Sequence, residues 1–82
     1  MVLIYLINGD CIEIPVAHST EAREGSLFCL DANGAAIVSY PIEDVEAFTT
    51  NERLAELMKA EVCERLIVIG DQETTPLSSV NR

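Results

Sequence analysis

Cysteine and histidine are the side chains best suited to metal binding and nucleophilic chemistry, and this chain carries Cys11, Cys29, Cys63 and His18. All four could ligate zinc, but zinc-binding segments bring their ligands in close pairs of the C-x2-C or H-x3-H kind, and no such pair occurs here. Cys11 and Cys29 fall in apolar, strand-like runs and Cys63 near a helix end, where a free cysteine behaves as a small hydrophobe. An odd number of cysteines without paired spacing also does not read as a disulfide framework. Neither a metal nor any other cofactor is expected. A nucleophilic site would pair a cysteine or serine with His18. That histidine lies in a polar stretch, and no nucleophile occupies a strand-turn-helix elbow.

Carboxylates are abundant, with neighbours at Glu43, Asp44 and Glu46, at Glu21 and Glu24, and at Asp71 and Glu73. With 14 acidic side chains among 82 residues, such neighbours arise by chance and read as a solvated surface. A glycosidase sets two carboxyls across a sugar-binding cleft, and a chain this short without tryptophan offers little stacking surface. Gly9, Gly25, Gly34 and Gly70 stand alone, so no phosphate-cradling loop is present. The net charge of −9, with only five basic residues, argues against direct nucleic-acid binding and against anionic membrane surfaces. It is compatible with a basic protein partner. No catalytic activity is expected.

The elements that hold these side chains begin with a hairpin. Val2-Leu3-Ile4-Tyr5-Leu6-Ile7 is an unbroken apolar run, Asn8-Gly9 is a strong turn signal, and Asp10 to Val16 alternates. A two-residue type I′ loop would pair Leu3 with Ile14, Ile4 with Glu13 and Tyr5 with Ile12. One face would then carry Leu3, Tyr5, Ile7, Ile12 and Ile14 as the core, and the other Val2, Ile4, Leu6, Cys11 and Glu13. Ala17 to Gly25 is polar and aperiodic and reads as a loop. Ser26–Asp31 and Ala35–Tyr40 form a second hairpin around a three-residue loop, with Asp31 at the start of a type I turn and Gly34 in a bulge. It pairs Phe28 with Val38, Cys29 with Ile37 and Leu30 with Ala36, and places Phe28, Leu30, Val38 and Tyr40 on the core face.

Pro41 ends that strand, Pro41 to Asp44 is a tight turn, and Val45 to Phe48 is a short fifth strand. Thr49 and Glu52 match a capping box opening a helix whose buried stripe is Leu54, Leu57, Met58 and Val62. Leu66 to Ile69 fits either a last helical turn before Gly70 or a buried strand. The β-branched run favours the strand. The expected fold is therefore a small α+β domain over residues 1–70: an antiparallel β-meander of two hairpins and a fifth strand, curling towards a barrel, with one C-terminal helix and a last strand. Residues 71–82 read as a flexible tail.

The missing basic segment ahead of Arg23 and the short apolar runs point to a cytoplasmic protein without a membrane span. Three functions fit. The first is an interaction or self-assembly module, a homodimer that buries Val2, Ile4 and Leu6, because that face of the first strand is apolar yet lies off the expected core. The second is an acidic inhibitor or nucleic-acid mimic that occupies a basic protein site. The third is a small-molecule binder built around His18 and the loop beside it.

Overall fold

The computed structural model describes residues 1–70, so the segment read as a tail lies outside the described residues. Seven strands, one 3-10 turn and one helix follow in order: β1 (Val2–Leu6), β2 (Asp10–Ile14), β3 (Ser19–Arg23), β4 (Ser26–Leu30), β5 (Ala36–Pro41), the 3-10 turn (Ile42–Asp44), β6 (Val45–Thr49), α1 (Glu52–Glu61) and β7 (Arg65–Val68). The fold is α+β and mostly antiparallel. The strands form two sheets, β6-β1-β2-β7 and β3-β4-β5, and neither closes into a barrel. The single curling meander is thus replaced by two stacked sheets.

The first hairpin forms, but one residue out of the expected register. Val2 pairs with Ile14, Leu3 with Glu13, Ile4 with Ile12 and Tyr5 with Cys11. The loop has three residues: the Gly9 N–H donates to the Leu6 carbonyl at 3.0 Å, and Gly9 takes a φ of +98°. Asn8 stays out of the left-handed region, and its side-chain oxygen accepts the Asp10 N–H at 2.9 Å. A one-residue slip exchanges the faces of one strand relative to the other. Val2, Ile4 and Leu6 now share a face with Ile12 and Ile14, against the second sheet. Leu3, Tyr5 and Cys11 share the opposite face, under the helix.

Val2 and Ile4 are fully buried and Leu6 is half-buried in the core between the two sheets. The residues expected at a dimer interface are covered by the chain itself. The cover is supplied by Leu27 and Cys29 of β4, Ala17, and the partly buried Ile37, Val38 and Tyr40 of β5. On β4 the inward residues are therefore Leu27 and Cys29 rather than Phe28 and Leu30. Much of the supposed loop from Ala17 to Gly25 is strand β3, joined to β4 by Glu24-Gly25, both with positive φ. Loop chemistry around Asp31 is as expected: its carboxylate accepts the Asn33 and Ala35 N–H groups at 2.9 and 3.0 Å, and Gly34 is left-handed. Leu30 pairs with Ala36 as expected. An irregularity then shifts the register, so that Cys29 faces Val38.

Pro41 ends β5, and the 3-10 turn carries the chain from one sheet to the other. The Ile42 N–H bonds to the Gly25 carbonyl at 2.9 Å, and the Asp44 carbonyl accepts the Ile7 N–H at 3.0 Å, so the turn is tied to both hairpin ends. β6 then pairs with β1 rather than with β5. Asn51, not Thr49, caps α1: its side-chain oxygen accepts the Leu54 N–H at 3.0 Å, while Thr49 Oγ1 accepts the Asn51 N–H. Leu66 to Val68 lies in a strand, parallel to β2. β6 and β7 run parallel at opposite edges of the four-stranded sheet, and α1 crosses β1 between them. The layers are helix, four-stranded sheet, three-stranded sheet.

Candidate functional site

Where β6 edges one sheet and β3 edges the other, the two layers part. The gap is a groove of about 390 Å³. Its walls follow from strand alternation. Thr20 and Ala22 of β3 and Leu27 of β4 point inward from one sheet. Val45 and Phe48 of β6 supply the other wall, and Ile42 of the 3-10 turn closes one end. Phe48 shares a face with Ile4, its cross-strand partner, but among the described residues no strand lies beyond it, and it stays 46% exposed. Ile42 is 44% exposed. Thr20 and Glu46 are the polar side chains in the lining. Glu43 and Asp44, in the turn beside it, are exposed.

A second hollow, of about 400 Å³, lies by the start of α1 between Met1, Glu13, Pro15, Glu52 and Glu56. Lys59 occupies its margin, 3.3 Å from Glu13 and 2.9 Å from Glu56. The bond to Glu56, and then that to Glu13, hold the ammonium above its ordinary pKa. This cluster reads as a structural clamp between α1 and β2.

The chemistry-bearing residues are spread across three places. His18 is exposed just ahead of β3, and its backbone N–H donates to the Leu30 carbonyl at 2.7 Å. Cys29 is buried between the sheets, and burial pushes its thiol up. Tyr40 nearby is raised too, by burial first and by the charge of Cys29 second. Cys11 and Cys63 meet on the helix side of the four-stranded sheet, Cys63 packing against the buried cluster of Leu3, Cys11 and Ala55. Burial pushes Cys11 up to about 12, reinforced by Cys63 and Asp10. No spacing in the sequence signals this pair, because it depends on the crossover helix returning its far end to β2.

Among the described residues no group of three or more His, Cys, Asp or Glu side chains is placed to hold a metal ion. No helix among them is long and apolar enough to cross a membrane. No family model matches the chain, and no curated protein or solved structure is significantly similar to it.

Proposed function

We propose that the protein is a docking module that takes an extended segment of a partner chain, carrying alternating apolar and basic residues, along the outer edge of β6, which no strand among the described residues pairs with. The observation that carries this reading is the apolar groove between two strand edges, walled on the β6 side by half-exposed Phe48. An edge strand presents unpaired N–H and C=O groups, and an added strand satisfies them while alternate side chains enter the groove. Glu43, Asp44 and Glu46 beside it favour lysine or arginine on the incoming segment, in a chain whose net charge is −9. The same carboxylates would face each other if a second copy docked there, so the rim disfavours self-pairing at this edge. A small molecule is less well served: the volume suffices, but only Thr20 and Glu46 offer polar side chains to orient it. Three free cysteines fit a reducing compartment such as the cytoplasm.

Selection from a displayed library of random peptides tests the reading. Enriched sequences should alternate apolar with Lys or Arg. Their binding should weaken with salt, disappear in Phe48→Asp and survive in Leu57→Asp on the opposite layer. Enrichment of no sequence, or binding indifferent to Phe48→Asp, would overturn it.

A further inference from the structure

Cys11 and Cys63 are far apart in sequence and side by side in the fold. Cys11 is fully buried in β2 under α1, in the cluster with Leu3 and Ala55. Cys63 follows the last turn of α1 and is half-buried, so it is the more accessible of the two. Its backbone is anchored on both sides: its own N–H reaches the Met58 carbonyl at 3.2 Å, and the Glu64 N–H reaches the Gly9 carbonyl at 2.9 Å. The next strand then pairs Leu66 with Cys11. The two thiols are thus held together by the helix end and by the β2–β7 ladder.

We propose that Cys11 and Cys63 form a reversible oxidation site, closed to a disulfide by a peroxide. In the first step the Cys63 sulfur attacks one peroxide oxygen. The O–O bond breaks, an S–O bond forms, and water leaves with the thiol proton, giving a sulfenic acid. In the second step the Cys11 sulfur attacks the Cys63 sulfur. The S–O bond breaks, an S–S bond forms, and a second water carries away the Cys11 proton. Two thiols are oxidised and one peroxide is reduced to two waters.

The order follows from the surroundings. Cys11 has no solvent access and is held protonated by burial, whereas Cys63 reaches the surface. Cys29 belongs to the core between the sheets and takes no part. Forming an S–S bond of about 2.05 Å draws the sulfurs together through side-chain rotation. The bond would clip the end of α1 to β2 across a long loop, and Tm should rise by roughly 10 °C.

The test treats the reduced full chain with hydrogen peroxide. The expected product has lost two hydrogens in intact mass, and thiols titrated in denaturant fall from three to one. A linked peptide should contain Cys11 and Cys63, and a dithiol should restore the starting state. Cys29→Ser should behave identically. Cys63→Ser, at the accessible position, should abolish the reaction, and Cys11→Ser should stop at a sulfenic acid on Cys63 that dimedone captures. A thiol count that stays at three would overturn the proposal. So would over-oxidation of Cys63 beside an intact Cys11, or cross-linking of two chains through Cys63.

Discussion

Ala55 is the side chain on which the helix turns. It is the one residue of α1 with no solvent exposure, lying against Leu3 and Cys11, while Leu54 and Leu57 on either side of it are each 50% exposed. The stripe expected from leucine spacing is rotated: Met58 is partly buried in the core, and Val62 is exposed. A small residue is buried because the helix approaches the four-stranded sheet closely at that point, and helical periodicity read from large apolar residues cannot register an alanine contact. Enlarging Ala55 to Leu should therefore destabilise the chain by about 1–3 kcal/mol through overpacking. Leu57→Glu should change stability by no more than about 0.5 kcal/mol, as surface substitutions do. Denaturant melts of the two variants check the helix phase directly. Equal losses in both would place Leu57 in the core instead.

At the scale of elements, what the sequence made legible was where most strands begin and end, and what it hid was how they pair and the one polar strand, β3. The places of two of the three hairpin turns, the Pro41 stop, β6, α1 and β7 follow from local chemistry: Asn-Gly, Asp with a downstream Gly, a proline, an acidic helix start, a β-branched run; the Asn8-Gly9 loop nevertheless takes three residues, not the expected two. The register of β1 against β2 was hidden because Val2 to Ile7 is apolar on both faces, and both faces are covered, so no polar face selects one pairing. The same ambiguity moved Val2, Ile4 and Leu6 from an expected interface into the core. β3 was hidden because Ser19 to Arg23 is polar and lies at a sheet edge with one face open, which leaves no hydrophobic alternation to find. The groove depends on β3 and on the departure of β6 to the other sheet, so it was not legible either. The observed register does rest on one local feature. A Cβ added to Gly9 would lie 2.7 Å from Glu64 side-chain atoms, at a φ of +98°. Gly34 shares the positive φ but faces open space. The Glu64 carboxyl end is exposed and can swing aside, so Gly9→Ala and Gly34→Ala should each lose about 1 kcal/mol from the positive φ they share. Urea midpoints of the two variants check this, and a markedly lower midpoint for Gly9→Ala would mean that Glu64 is held in place.

Across the whole molecule, charge is unevenly balanced. Lys59 is tied to Glu13 and Glu56, and Arg65 to Asp10, all around α1 and the β2–β7 side of the four-stranded sheet. On the other sheet Arg23 instead lies over the Phe28 ring, 4.6 Å from its centre. The protein already carries −9 at pH 7, and alkali adds to that. Cys11, Cys29 and Tyr40 hold their protons more tightly folded than unfolded because they are buried, and Lys59 because of its carboxylate partners. Where the folded value exceeds the unfolded one, the native state binds more protons within that window, and stability falls as pH rises through it. For Cys11 the window opens near 9.0 and extends to about 12. Reduced protein should therefore keep a level Tm from neutral pH to about 9 and then lose it steeply. Two contributions separate experimentally. High salt screens the repulsion among exposed carboxylates, but it leaves the penalty of a buried thiolate in place. Cys11→Ala removes that penalty, so its Tm should start lower at neutral pH, from the lost packing, and fall less steeply above pH 9 in high salt. Parallel curves for the two proteins would show that exposed charge alone drives the alkaline loss.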